Sequence, residues 1–192
     1  FSDLIIGAKN ANSSSGQVYI LYGNTITPNL TLSASDFTIT SNIESTTYIG
    51  KVLAGNGDLD GDGAPDFALG VPDIKKNVYT YLSQNRGDWT SEMTLGNEGQ
   101  PKNFNSDSSI MNTGENGFNF VSVDGDFNGD GYDDLLIGTS IGNDNNTGQT
   151  CLSLGRSNYN SLSTPINIES PSSSDPNINL TFTGEDNNDF SG

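Results

Sequence analysis

Two stretches of this chain are near copies of each other, GDLDGDGAPDFALG from Gly57 and GDFNGDGYDDLLIG from Gly125. Each sets acidic or amide side chains at alternate positions around two glycines and then runs straight into apolar residues. A third segment, SDLIIGA from Ser2, matches the tail of both, so a shared aspartate stands at Asp3, Asp66 and Asp134. Self-similarity with a period of about 65 residues marks a repeat architecture, in which each unit buries its apolar face by stacking on its neighbours.

The rest of each period reads as short strands. After the shared aspartate come an apolar strand, a variable polar loop and a second strand, GQVYILYG from Gly16, NVYTYLS from Asn77 and GQTCLSLG from Gly148. A lead-in strand precedes each acidic loop, YIGKVLAGNGD from Tyr48 and FNFVSVDGD from Phe118, and FTGEDNNDFSG from Phe182 reads as the lead-in to a further unit. Fourth strands are expected in LTLSASDFTIT from Leu30, in WTSEMTL from Trp89 and in a weaker run from Ile166. Four antiparallel strands per period predict an all-β chain of β-propeller blades, about three repeats of a larger ring or assembly. The expected division is a partial blade over 1–40, blades over 41–110 and 111–178, and the start of another over 179–192. Since a ring takes roughly four to eight blades, more chain or other copies are expected to complete it.

Composition narrows the function. With 24 Asp plus Glu against 7 Lys plus Arg, the net charge of −17 opposes binding to nucleic acid or anionic lipid, which need positive potential at the contact. The absence of His removes imidazole bases and His-metal chemistry, and with them most hydrolase mechanisms. High charge and 32% hydrophobic content also suit a disordered chain, but the apolar residues fall in regular strand-length runs. Cys151, the single cysteine, has no internal disulfide partner and reads as a small buried residue in TCLSL. No apolar segment is long enough to span a bilayer, so direct membrane insertion is not expected. The first residues lack a basic leader and cleavage site, which places any export signal upstream.

In the first acidic loop Asp58, Asp60, Asp62 and Asp66 hold positions 1, 3, 5 and 9, with Gly61 and Gly63 between them. Asp126, Asn128, Asp130 and Asp134 hold the same positions in the second. Alternate side chains of a tight turn converge on one point, and a hard cation such as Ca²⁺ takes about 6–8 oxygen ligands there. Position 7 would supply a main-chain carbonyl, from Ala64 or Tyr132, where the side chain matters little. A bound ion would also relieve the repulsion between the acids. An EF-hand needs a bidentate Glu at position 12 and flanking helices, whereas position 12 is Leu69 or Ile137 inside a strand. The same lack of helices excludes a dockerin-like pair. The remaining alternative is a solvated acidic turn without metal.

At these residues the chain resembles the FG-GAP repeat of integrin α-subunit β-propellers and their relatives. The shared pattern is a lead-in strand, GD-x-[DN]-GDG-x-x-D, an apolar strand ending in Gly, a loop, then G-x-V-Y. The FG pair stands here as Ile49-Gly50 and Phe118-Asn119, with Phe190-Ser191-Gly192 a third candidate, and GAP as GAK, GVP and GTS. The resemblance implies structural Ca²⁺ in two complete loops, with Asp3 as the remnant of a third. It also implies a non-enzymatic, extracellular or cell-surface module for adhesion or surface assembly, whose partner is a protein or glycan ligand or further blades or copies of the same array. By the same resemblance the connections over 8–15, 71–76 and 139–147 would emerge on the rim opposite the metal loops, as ligand loops or plain connectors. Two other readings stay open, the accessory propeller of a secreted enzyme of phospholipase D or polysaccharide-degrading type, and the subunit of a self-assembling extracellular filament.

Three smaller signals complete the reading. Arg86-Gly87-Asp88 is an integrin-ligand tripeptide or an ordinary turn. Sequons at Asn12, Asn29, Asn145 and Asn179 are possible glycosylation sites, at about the number that chance predicts. Trp89, Tyr79 and Tyr81 form either a sugar platform or packing between blades.

Overall fold

The structure, a computed structural model, describes residues 2–24, 27–41, 47–71, 77–83, 92–95, 102–105, 120–139, 147–159, 166–167 and 180–186. Among these the chain is β almost throughout. The first repeat contributes β1 (Leu4–Ala8), β2 (Gln17–Leu21) and β3 (Phe37–Ser41). The second contributes β4 (Val52–Gly57), β5 (Asp66–Val71), β6 (Asn77–Tyr81), β7 (Glu92–Leu95) and β8 (Lys102–Asn105). The third contributes β9 (Phe120–Ser122), β10 (Leu135–Thr139), β11 (Gln149–Ser153), β12 (Ile166–Asn167) and β13 (Leu180–Thr183). A single irregular helical turn, Ala11–Ser14, joins β1 to β2, and a 3-10 turn, Leu32–Ala34, precedes β3.

The strands form three sheets, ordered β1-β2-β3-β7, β4-β5-β6-β8-β12 and β9-β10-β11-β13 across their widths. Register decides which face each residue takes. In the middle sheet Leu53, Leu69 and Tyr79 are directly opposite one another, so they share a face, and Phe67 with Tyr81 extends it. That face packs on Val18, Phe37 and Ile39 of the first sheet. The alternate positions, Ala68 and Val78, meet Val121, Ile137 and Cys151 of the third. A sheet covered on both sides has no solvent face, which is why all five residues of β6 are buried. Fully burying each Leu, Val or Tyr of these two cores stabilises the stack by roughly 1.5–3 kcal/mol. The lead-in to the second sheet is seated by the same contact, with Ile49 wholly buried and Gly50 against Gly7, where a Cβ on Gly7 would meet the Gly50 carbonyl.

The fourth strands differ from expectation. DFTIT, at the end of the Leu30 run, does join the first sheet as β3, the last strand of its own repeat, by antiparallel pairing with β2. The WTSEMTL run yields β7, which leaves its own repeat and pairs in parallel with β3 of the preceding sheet. The Ile166 run likewise yields β12, parallel to β8 of the preceding sheet. The repeats are closed instead by β8, a polar KNFN segment, and by β13. Phe182 and Thr183, which open the segment expected as the lead-in to a following blade, thus lie in the fourth strand of the third sheet, Leu180–Thr183. Apolar alternation shows that a segment is extended and half-buried but not which edge it joins. Burial decided the first exchange, because Leu95 is wholly inside the core between the first two sheets, and the Thr40 hydroxyl donates to the Met93 carbonyl at 3.3 Å.

Candidate functional site: two acidic loops

Both acidic loops connect the first two strands of their sheets, β4 to β5 and β9 to β10, and they fold alike. Gly61 and Gly63 sit at φ +75° and +82°, and Gly129 and Gly131 at +75° and +92°, the left-handed region that side chains resist. That curl turns successive main-chain N–H groups inward onto the first aspartate. Asp58 Oδ1 accepts from Gly61 and Asp62 at 2.7 and 3.0 Å, and Oδ2 from Gly63 at 2.9 Å. Asp126 accepts from Gly129, Asp130 and Gly131 at 2.7, 3.1 and 2.8 Å. These donors hold the exposed Asp126 carboxyl below the usual carboxylate range, the Gly131 N–H acting most.

The ninth-position aspartates have a second task that the spacing did not reveal. Asp66 accepts from Leu59 at the start of its loop and from Ser83 just beyond β6, both at 2.7 Å. Asp134 does the same with Phe127 at 2.8 Å and Gly155 at 2.9 Å. Each therefore clamps its loop to the end of the sheet's third strand. Asp3, expected as the remnant of a metal loop, makes the matching bond to Gly23 at 2.9 Å. The sequence carries a signal for this second task, since the aspartate recurs in all three repeats.

Electrostatics sets the clamp apart from an ordinary turn. Asp66 is 1% exposed, and burial pushes its carboxyl up to about 7 against the pull of the two N–H donors. The neighbouring charges that act on it are Asp60 and Asp62, both negative. Burial also raises Asp60, with the Asp62 charge next, and burial raises Asp134. A cation would remove this conflict.

The donor set fits one. Oxygens of Asp58, Asp60 and Asp66 lie within 4.8 Å of one another, so these three could hold a metal ion. Every side-chain donor is a hard oxygen, the class that Ca²⁺ and Mg²⁺ take. Asp62 is turned onto the Ala64 N–H at 2.8 Å, beside rather than within that trio. In the second loop Asn128 donates to Asp130 Oδ2 at 2.9 Å, and Asp130 Oδ1 accepts from Tyr132 at 3.0 Å. Asp130 thus stands where Asp62 stands.

Of the remaining candidates, Asn12 and Asn29 are exposed at positive φ in turns. Asn145, Asn179, Arg86-Gly87-Asp88 and Trp89 lie outside the described residues, as do 72–76 and 140–146 of the opposite-rim connections. Tyr79 and Tyr81 are 6% and 2% exposed, with Tyr81 stacked on Phe67 at 4.5 Å, so they pack between sheets and offer no sugar platform. Cys151 is buried, and burial pushes its thiol up to about 11, which makes it unreactive. Among the described residues no helix is long and apolar enough to cross a membrane.

Residues 119–150, which contain β9, the second acidic loop and β10, match the model of the FG-GAP repeat family. No curated protein matches the chain. That segment is similar to an FG-GAP repeat, and the stacked sheets are β-propeller blades.

Proposed function

From these FG-GAP blades we propose a non-catalytic, extracellular module for adhesion or surface assembly, stiffened by structural Ca²⁺ in both acidic loops. The observation that carries this is the buried Asp66 carboxylate, whose charged neighbours are all acids, in a loop geometry that is repeated bond for bond 68 residues later at Asp134. Asp58, Asp60 and Asp66 would hold one ion together with Asp62, through the carboxylate oxygen other than the one on the Ala64 N–H, and Asp126, Asn128, Asp130 and Asp134 the other, with the carbonyls of Ala64 and Tyr132 as main-chain ligands. The ion would offset part of the loop's negative charge and tie the first two strands of a blade together. Extracellular calcium modules bind in the range of about 10⁻⁴–10⁻³ M, which suits an export destination.

Assembly is supported by the third sheet. Phe120, Thr150 and Phe182 share a row, and Leu152 and Leu180 share the next on the same face. Phe120, Phe182 and Leu180 are 46%, 50% and 39% exposed. The equivalent face of each preceding sheet is covered by a neighbour, so further blades are the partner that this one fits.

The deciding experiment is a thermal melt in chelator and across a Ca²⁺ titration. A ligand specific for the folded state adds about 2.7 kcal/mol at a hundredfold excess over Kd. A midpoint that climbs with Ca²⁺, and less in Asp62→Ala and Asp130→Ala, is expected. Equal Ca²⁺ binding by the double variant and the parent would sink the assignment.

A further inference from the structure

The two acidic loops touch. Asp133, the eighth residue of the second loop, accepts the Asp58 N–H on Oδ2 at 2.9 Å, and its own N–H donates to the Asp58 carbonyl at 2.9 Å. The pair of bonds fastens the main chain of the first residue of the first loop. Tyr132 lies over Gly61, where an added Cβ would meet its Cε1 at 2.4 Å. The Arg156 N–H donates to the Leu59 carbonyl at 2.8 Å, and it follows Gly155, whose N–H is held by Asp134. Asp58, Leu59 and Gly61 of the first loop therefore each rest on a residue that lies inside the second loop or next to its clamp.

We propose that the second loop positions the first, so that a cation held by Asp126, Asn128, Asp130 and Asp134 raises the affinity of Asp58, Asp60 and Asp66 for theirs, and the reverse. This rests on both loops being cation sites, as proposed above. Tyr132, through its carbonyl, and Asp134 would hold an ion in the second loop, and since they flank Asp133 they would fix it in place. The main chain of Asp58 is then ordered before its own ion arrives. When one ligand meets the ordering cost of a shared element, the next binds more tightly, and linkage makes the effect reciprocal. Asp133 is the positioning residue. Its counterpart in the first loop is Pro65, which has neither an N–H nor a carboxylate to offer. The contact thus belongs to this pair of loops rather than to the repeat, and Pro65 shows that the eighth position accepts proline.

The test is calorimetric titration of the chelator-stripped 192-residue chain with Ca²⁺, alongside Asp130→Ala, Asp133→Pro and the double variant. The parent is expected to fill two sites with a Hill coefficient above one. Asp130→Ala should leave one site, weakened by about fivefold or more, the lower end of ordinary coupling. Asp133→Pro should keep two sites that fill independently, and adding Asp130→Ala to it should no longer weaken the site that remains. An unchanged first site in Asp130→Ala, or cooperativity that survives Asp133→Pro, overturns the coupling while leaving the cation reading standing. A parent that binds no Ca²⁺ removes both. If circular dichroism shows Asp130→Ala to be unfolded, the Hill coefficient of Asp133→Pro decides alone. Asp133→Asn, which keeps an acceptor oxygen without the charge, should retain cooperativity, and its loss there would overturn the mechanism.

Discussion

Asp3 accepts the Gly23 N–H in the first sheet through the bond that Asp66 makes to Ser83 and Asp134 to Gly155. One aspartate per repeat thus ties the start of a blade's apolar strand to the turn that follows the next strand. In the second and third repeats the same carboxylate also reaches back to the acidic loop. It joins the acidic loop to the sheet, so damage to one is felt in the other.

Removing the Asp66 clamp should cost stability even without a metal ion. Asp66→Ala leaves the buried Leu59 N–H and the half-buried Ser83 N–H without their acceptor, a cost of about 1–3 kcal/mol for the buried group and less for the other. Asp66→Asn keeps one acceptor oxygen and removes the buried charge. In chelator Asp66→Asn should therefore unfold at higher urea than Asp66→Ala, and the order of the two midpoints checks the clamp.

The metal-free protein should lose stability as pH rises from about 4 to about 7. Asp66 has its folded carboxyl raised from 3.8 to about 7, so the folded state holds this proton more tightly than the unfolded chain does. Its contribution is fully present below pH 3.8 and is lost as pH rises through about 7. Asp134 and Asp60 act in the same direction, and Asp126, with its lowered carboxyl, contributes stability that is lost as pH falls below the ordinary range. Urea midpoints across pH in chelator measure the trend, and saturating Ca²⁺ should flatten it by compensating the charge.

Tyr159 should tolerate loss of its hydroxyl but not of its ring. It is wholly buried in the core between the second and third sheets, and its hydroxyl lies beside those of Thr80 and Ser153 without hydrogen-bonding geometry. Tyr159→Phe is expected to be as stable as the parent or more so, because an unpaired buried hydroxyl is a cost. Tyr159→Ala should lose about 3–5 kcal/mol, as large core truncations do. Chemical denaturation of the two variants separates ring from hydroxyl.

Leu95→Ala tests the strand exchange. Leu95 is encoded in the second repeat yet buried in the core that the second sheet shares with the first, on a strand paired with β3. A loss of about 2–5 kcal/mol is expected. Hydrogen exchange should quicken first in β2 and β3, and protection lost first in β8 would contradict the pairing.

Much of this was legible in the residues. The acidic loops, their glycines and the apolar strands after them are local patterns, and local patterns survive reading one residue after another. Asp58, Asp60 and Asp66 came together as the spacing implied. Less visible was anything that depended on a distant partner. β8, a polar KNFN segment, carries a weak strand signal of its own and exists through its pairing with β6. β7 and β12 were recognisable as extended but not as members of the preceding sheet. The second role of Asp66 stayed hidden because Ser83, its partner, is an unremarkable turn residue.

The order of residues alone therefore settled the period, the all-β character, the two oxygen-lined loops and the exclusion of imidazole chemistry, because each follows from side-chain type at short spacing. Tertiary packing settled which strand joins which blade, which aspartate is buried, and that Asp133 of one loop holds Asp58 of the other. Those outcomes depend on which apolar surfaces cover each other once the sheets stack, a competition among surfaces dozens of residues apart.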